Sequence, residues 1–247
     1  MNVSRRTLGL GIALAIAAGT LAACTPADEV ARPVTTEEAQ LLAVVRFNNF
    51  NAGDRSFSTS LRDAATDLAL EGWVDYETSV GYAVLTADLT QESLLLWDAS
   101  SLAARPITTD EVAQLLTAPV ATPTSLDGFG VGPLNTDGAL HPLLAILIAL
   151  GNDRPDNPLL LQQGGALWLR TDSVDGVPVT VFAGPTDSSS NADPNTNVDP
   201  DASNARYWVD DQGLLRRFEV RLGADWVSVD FGPASGVALS SPFATTP

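Results

Sequence analysis

Few residues in this chain could carry chemistry, and most are scarce or badly spaced for it. Cys24 is the single cysteine of 247 residues, so no intramolecular disulfide can form and its thiol is left for a covalent partner from outside the chain. His141 is the single histidine, beside Pro142 at the head of an apolar stretch, and is read as a polar first-turn residue in preference to a general base. All thirteen cations are arginine, which removes Schiff-base chemistry. A zinc site cannot be assembled from one histidine and one cysteine. The sequence has no Gly-x-Ser-x-Gly elbow, phosphate loop or dinucleotide fingerprint. Carboxylates are plentiful, thirty in all. Asp75, Glu77 and Asp98 are the candidates for a carboxylate-pair hydrolase. Asp187, Asp193, Asp199 and Asp201 could in principle wrap a calcium ion. Their spacing fits no calcium loop, and acidic groups on strand edges and in polar loops are ordinarily just solvated. The expectation is a protein with no catalytic residue, no metal and no cofactor.

The thiol is the exception. Arg5 and Arg6 precede an uncharged apolar run from Leu8 to Ala23, the layout of a secretory signal and too short for a comfortable membrane span. The run ends in Leu21-Ala22-Ala23-Cys24, which resembles the bacterial lipobox. There the cysteine thiol receives a diacylglyceryl group and becomes the new N-terminus after cleavage. Residues 1–23 are therefore expected to be a signal peptide and 24–35 a lipidated tether. Ser4-Arg5-Arg6-Thr7-Leu8 is a partial twin-arginine motif and leaves the export route open.

Charge narrows the partners. Removing residues 1–23 takes away Arg5 and Arg6, leaving eleven arginines against thirty carboxylates, net −19. Such a surface repels a phosphate backbone, which excludes nucleic acid, and repels anionic headgroups as well. Attachment to the outer face of the cell membrane would have to come from the diacylglycerol on Cys24, whose two chains meet the requirement for stable anchoring.

The elements that would build a domain over 36–247 follow from periodicity. Thr35 and Glu38 form a capping box for a first helix ending near Gly53. Alternation over Thr66–Tyr76 and Ser79–Ala87 predicts a hairpin, with further strands over Glu92–Asp98 and Leu102–Ile107. Thr108 and Glu111 open a second helix. A third, from about Gly138 to Leu150, has almost no polar face and must be buried nearly all round. Ala166–Ser173 and Val177–Ala183 flank Asp175-Gly176, a strong hairpin signal. A Ser, Asn and Asp-rich loop over 186–205 leads to strands at Arg206–Asp210, Leu214–Leu222 and Asp225–Phe231. In the middle one Leu214, Arg216, Phe218, Val220 and Leu222 should share a face. The order predicts an α+β fold, a mainly antiparallel sheet with about three helices on one face.

The strings Val174-Asp175-Gly176-Val177-Pro178-Val179-Thr180 and Tyr207-Trp208-Val209-Asp210-Asp211-Gln212-Gly213-Leu214-Leu215-Arg216-Arg217, with Leu70-Glu71-Gly72-Trp73-Val74-Asp75-Tyr76, all behind a lipobox, resemble the LppX/LprA/LprF/LprG lipoproteins of actinobacteria and the wider group of LolA and LolB carriers. The resemblance implies a strongly curved antiparallel sheet, a half barrel, over helices that enclose an apolar cavity. It also implies an acylated lipid or glycolipid as ligand. The acidic insertion and the extreme charge depart from the pattern and leave the ligand class open.

A carrier needs an aliphatic lining, since each buried methylene avoids about 0.8 kcal/mol of exposure to water. A chain of about sixteen carbons would keep roughly 12 kcal/mol while crossing an aqueous gap. The candidate lining is Leu143, Leu144, Leu147 and Ile148 of the third helix, with Val84, Leu95, Leu167 and Phe218 from strands; plain core packing is the simpler reading of each. The alternative is a non-carrier surface lipoprotein, an interaction or scaffold module with a collapsed core. Cys24 itself yields the first prediction. Metabolic labelling with radioactive fatty acid marks the wild-type chain and leaves Cys24→Ser unlabelled; equal labelling of both removes position 24 as the acceptor.

Overall fold

The computed structural model describes residues 30–186 and 198–243, apart from 119, 121 and 124. The expected signal segment, Cys24, Asp187 and Asp193 lie outside the described residues. The chain enters as a two-residue strand β1 (Arg32–Pro33) and turns into helix α1 (Thr36–Ala43). Thr35 Oγ1 accepts the Glu38 amide at 3.2 Å while the Glu38 carboxylate accepts the Thr35 amide at 2.8 Å, the expected capping box. The same carboxylate takes both terminal nitrogens of Arg32 at 2.7 Å, and chiefly for that reason its pKa is lowered. A second helix α2 (Val45–Ala52) ends at Gly53, whose φ of +77° suits glycine.

Strand β2 (Asp54–Asp63) is not legible in the periodicity. Its inward residues are Arg55, Phe57, Thr59 and Leu61, and its outward ones Ser56, Ser58, Ser60 and Arg62. Only two of the eight are apolar, so the period of two carries little hydrophobic contrast. A meander follows: β3 (Thr66–Asp75), β4 (Val80–Ala87), β5 (Gln91–Trp97) and β6 (Ser101–Ile107). Helix α3 (Thr109–Leu115) carries the expected Thr108/Glu111 box, and a short edge strand β7 (Gly130–Pro133) pairs with β6. Then come α4 (Leu140–Ala149), α5 (Pro158–Gln163), β8 (Leu167–Val174), β9 (Val177–Ala183), β10 (Ala205–Val209), β11 (Leu215–Leu222) and β12 (Asp225–Phe231). Asp175 and Gly176 both have positive φ, 51° and 77°, the backbone a two-residue hairpin turn requires.

Among the described residues the strands form one antiparallel sheet in the order β1-β8-β9-β10-β11-β12-β2-β3-β4-β5-β6-β7. The unexpected β2 is its centre, pairing over ten residues with β3 and over three with β12. Twelve strands laid flat would span on the order of 55 Å. Yet residues of β2 to β5 and of β9 to β12 meet α1, α2 and α4 in a single core that runs from Leu70 and Leu95 to Phe182, Phe218 and Val229. The sheet is therefore strongly curved around those helices. It does not close, because its ends β1 and β7 do not pair.

Two expectations need correction. Not all helices share one face: α3, with Leu126, Phe129, Val237 and Leu239, covers Trp73, Tyr82, Leu94 and Leu96 on the far side of the sheet. Apolar β4 and β5 supply side chains to both faces, and α3 takes the second. In β11 the expected face is broken by a bulge, Trp208 pairing with Arg217 and Val209 with Leu215. The extra residue, Arg216, is diverted to Asp210 at 2.7 Å, and Leu215 joins Phe218 and Val220 in the core.

The two halves of the sheet are tied by Arg55, which is wholly buried. Its Nε donates to Gly232 O (2.8 Å), one terminal nitrogen to Asn49 Oδ1 (3.2 Å) and the other to Leu215 O (2.9 Å), while Asn49 donates to Leu150 O (2.9 Å). Burial lowers its pKa, opposed by nearby Tyr76, Asp210 and Asp54. Replacing it by methionine keeps the stem and strands three acceptors. At about 1 to 3 kcal/mol for each buried unpaired group, Arg55→Met loses about 3 kcal/mol or more in urea unfolding. An unchanged midpoint would show that the guanidinium is not a tie.

Candidate functional site

The candidate site is the interior around α4. Its sequence, Leu-His-Pro-Leu-Leu-Ala-Ile-Leu-Ile-Ala, has no charged residue, so its ends must be capped from elsewhere. At the N-terminus Asp63 of β2 accepts the amides of Ala139 (3.0 Å) and Leu140 (3.4 Å), a carboxylate at the positive end of the helix dipole. At the other end Arg46 Nε donates to Ala149 O (2.9 Å) and Asn49 to Leu150 O, both from α2. His141 Nδ1 accepts the amide of Asn135 at 3.2 Å, which fixes the incoming loop and fits the first-turn reading.

The structure brings together six of the eight residues singled out as lining. Leu143, Leu144 and Leu147 have no exposed surface, and they share one core with Ile148, Leu95 and Phe218. The other two are not with them. Val84 alternates with Ala83, which joins the core, and so follows Tyr82 to the opposite face of β4. Leu167 packs with Val181 and Trp208 in a separate cluster behind β8 to β10. In both cases the strand is apolar on two faces, and periodicity cannot choose between them.

Two residues of this interior were not foreseen. Trp97 is fully buried, and its indole N–H donates to the Leu144 carbonyl at 3.0 Å, coupling β5 to α4. Its ring lies flat on Gly81, where a Cβ would come within 2.0 Å of it, which explains the glycine in β4. Tyr76 is buried with a hydroxyl that has no hydrogen-bond partner, and desolvation raises its pKa despite nearby Arg55. It packs on Gly151, just past the end of α4. An unpaired donor in an aliphatic interior is costly, and is where an ester or carboxyl oxygen could be received.

The remaining candidates are held in other work. Asp75 is buried, accepting the amides of Glu77 and Thr78 through one oxygen and Leu239 through the other. Asp98 accepts the amides of Ser100 and Ser101, both at 2.8 Å. Asp199 caps the Asp201 amide, and Asp201 pairs with Arg206. Among the described residues no group of three or more ligating side chains could hold a metal ion. A cavity of about 240 Å³ opens on the face away from α4, where the carboxylates of Glu71, Asp175 and Asp230 and the hydroxyls of Ser56 and Ser58 line it together with Trp73, Phe57, Phe231 and two glycines. Three carboxylates in so small a lining do not suit an acyl chain.

No protein-family model matches the sequence, and no curated protein does. Among solved structures the chain is similar to lipoprotein LppX of Mycobacterium tuberculosis, with 14% identity over 81% of this chain and 97% of that one and a TM-score of 0.43. It is similar to LprF from Mycobacterium bovis, with 11% identity over 86% and 100% and a TM-score of 0.42. An outer-membrane lipoprotein-sorting protein domain from Vibrio parahaemolyticus matches at 11% identity over 81% and 92%, with a TM-score of 0.27.

Leu147 tests how the interior is filled. If side chains alone fill it, Leu147→Ala leaves a void and costs about 2 to 5 kcal/mol in denaturant unfolding. A cost below about 1 kcal/mol would show that the wall of α4 is not tightly packed at that point.

Proposed function

We propose that this protein is an exported lipoprotein, anchored to the outer face of the cell membrane through diacylglycerol on Cys24, which binds an acylated lipid between α4 and the curved sheet and carries it without catalysis. The observation that carries the reading is α4 itself: ten residues without a charge, of which Leu143, Leu144, Leu147 and Ile148 are buried beneath an open sheet while Leu140, Ala145, Ile146 and Ala149 keep some exposure, and both ends are capped by side chains from other elements. A helix apolar nearly all round needs apolar cover on most of its faces, and an acyl chain lying between it and the sheet would supply part of that cover. The unpaired Tyr76 hydroxyl supplies a polar point for an ester or carboxyl group. Moving a chain from bilayer to such an interior changes its surroundings little, so exchange is nearly isoenergetic and selectivity falls to that polar end.

A second reading, an interaction module with a filled interior, draws on the complete burial of Leu143, Leu144 and Leu147 and on their contact with strand residues in one core. The two separate on lipid content. Full-length protein purified in mild detergent, extracted and analysed by mass spectrometry yields near-stoichiometric acyl lipid beyond the covalent anchor if it is a carrier. Leu147→Trp, which enlarges a side chain against the sheet, lowers that yield several-fold, and Tyr76→Phe lowers the share of ester-bearing species. Lipid content at background in the wild type would leave the module reading standing.

A further inference from the structure

The C-terminal end of α4 gathers buried hydrogen-bond donors that lack acceptors. Arg55, wholly buried, reaches two carbonyls and Asn49 Oδ1; its other N–H groups have no acceptor among the described residues. Asn49 is buried too, and it gives one amide N–H to Leu150 O while the second has no acceptor there. Gly151, the next residue, lies against the ring of Tyr76, where a Cβ would come within 2.4 Å of it. The Tyr76 amide donates to Gly53 O at 2.9 Å, which seats the ring beside the start of β2. Its hydroxyl is buried and unpaired. Side chains from α2, from β2 and from the residue after β3 thus converge on the Leu150-Gly151 turn. Burial pushes the Tyr76 phenol up, and Arg55 is the charge that opposes the push.

Among the described residues no carboxylate bonds Arg55. The two acids near enough to act on it are engaged elsewhere: Asp54 accepts the amides of Ser235 and Gly236, and Asp210 holds Arg216. A buried cation without a bonded anion is costly, and so is each unpaired donor around it. What complements a guanidinium, an amide N–H and a phenol together is a group that only accepts and that carries a negative charge. An ionised carboxylate does both. An ester carbonyl accepts but leaves the charge unanswered, and an alcohol adds a donor to a place that already has too many.

Resting on the carrier reading above, we infer that the guest is an acyl compound with a free carboxylate head, and that this head seats against Tyr76, Arg55 and Asn49 at the C-terminal end of α4. The chain then runs back along the helix past Leu147 and Leu143 toward Leu134, Ala139 and Leu140, which pack on the same core and keep some exposure. The head is the deepest part of the guest, and selectivity is exercised inside the protein. Hydrogen bonds to an ionised acceptor are roughly twice as strong as those to a neutral one, so the seat sorts ligands by charge more than by chain length.

The test offers tritiated palmitate, methyl palmitate and hexadecanol, at equal concentration, to full-length protein in mild detergent that has been stripped of exchangeable lipid. Bound ligand is counted on the captured protein. Wild type holds palmitate at least about tenfold more tightly than the other two. Tyr76→Phe removes only an oxygen that has no partner, so its thermal melt is unchanged. It weakens palmitate about tenfold and methyl palmitate by no more than about threefold, the difference between a charged and a neutral acceptor. Arg55 is left intact because it also ties the sheet. Equal retention of the three ligands by wild type, or an equal loss of palmitate and its ester in Tyr76→Phe, overturns the acid seat and leaves the carrier standing. Retention of none, while extracted wild type holds acyl lipid, overturns the seat alone. Retention of none with lipid at background overturns both.

Discussion

An arginine buried without a carboxylate bound to it is the constraint around which this structure is organised. Arg55 sits on the central strand, where the two halves of the sheet meet along only three residue pairs. Its N–H groups cannot be left dry, and three of them are met by a carbonyl of β11, a carbonyl of the segment after β12 and Asn49 Oδ1, with Asn49 relaying the contact to the end of α4. Satisfying them requires β2, β11, α2 and α4 to be in place together. A local need for hydrogen bonds thus becomes a condition on the curvature of the whole sheet.

Carboxylates do the corresponding work at the periphery. Buried Asp54 accepts the amides of Ser235 and Gly236, Asp75 that of Leu239, and Asp210 those of Gln212 and Leu214. A chain with many more acids than bases can use its surplus in this way, because a carboxylate bound to backbone N–H groups needs no cation; Asp54 and Asp75 have none, and Asp210 alone of the three also takes Arg216. The C-terminal segment is pinned over the far face of the sheet by two such contacts, and this lets Val237 and Leu239 cover Trp73 and Tyr82.

Much of this was legible before any coordinates. Capping boxes at Thr35 and Thr108, the Asp175-Gly176 turn and the all-apolar character of α4 are local signals, and the structure has each where local chemistry puts it. What was not legible is non-local. Strand β2 owes its place to pairing on both sides, and its serines carry no apolar period. The bulge at Arg216 depends on the partner strand and moves Leu215 to the opposite face from the one alternation assigns. Val84 belongs to a strand buried on two sides, and Leu167 opens β8 in the apolar run Leu167-Trp168-Leu169, so at both positions one face looks like the other in sequence. Trp97 as the link to α4, and Tyr76 as its unpaired donor, emerge only once the sheet has curled.

The open sheet ends in two strands of uncommon brevity, Arg32–Pro33 and Gly130–Pro133, each closing on a proline that has no N–H to offer. Anchored as proposed, the protein would be confined to a plane, where neighbours meet far more often than in bulk solution. An unpaired ladder would invite them to zip edge to edge into fibrils. Blunt, proline-ended margins deny a second molecule a register to join, so crowding on a two-dimensional surface need not become assembly.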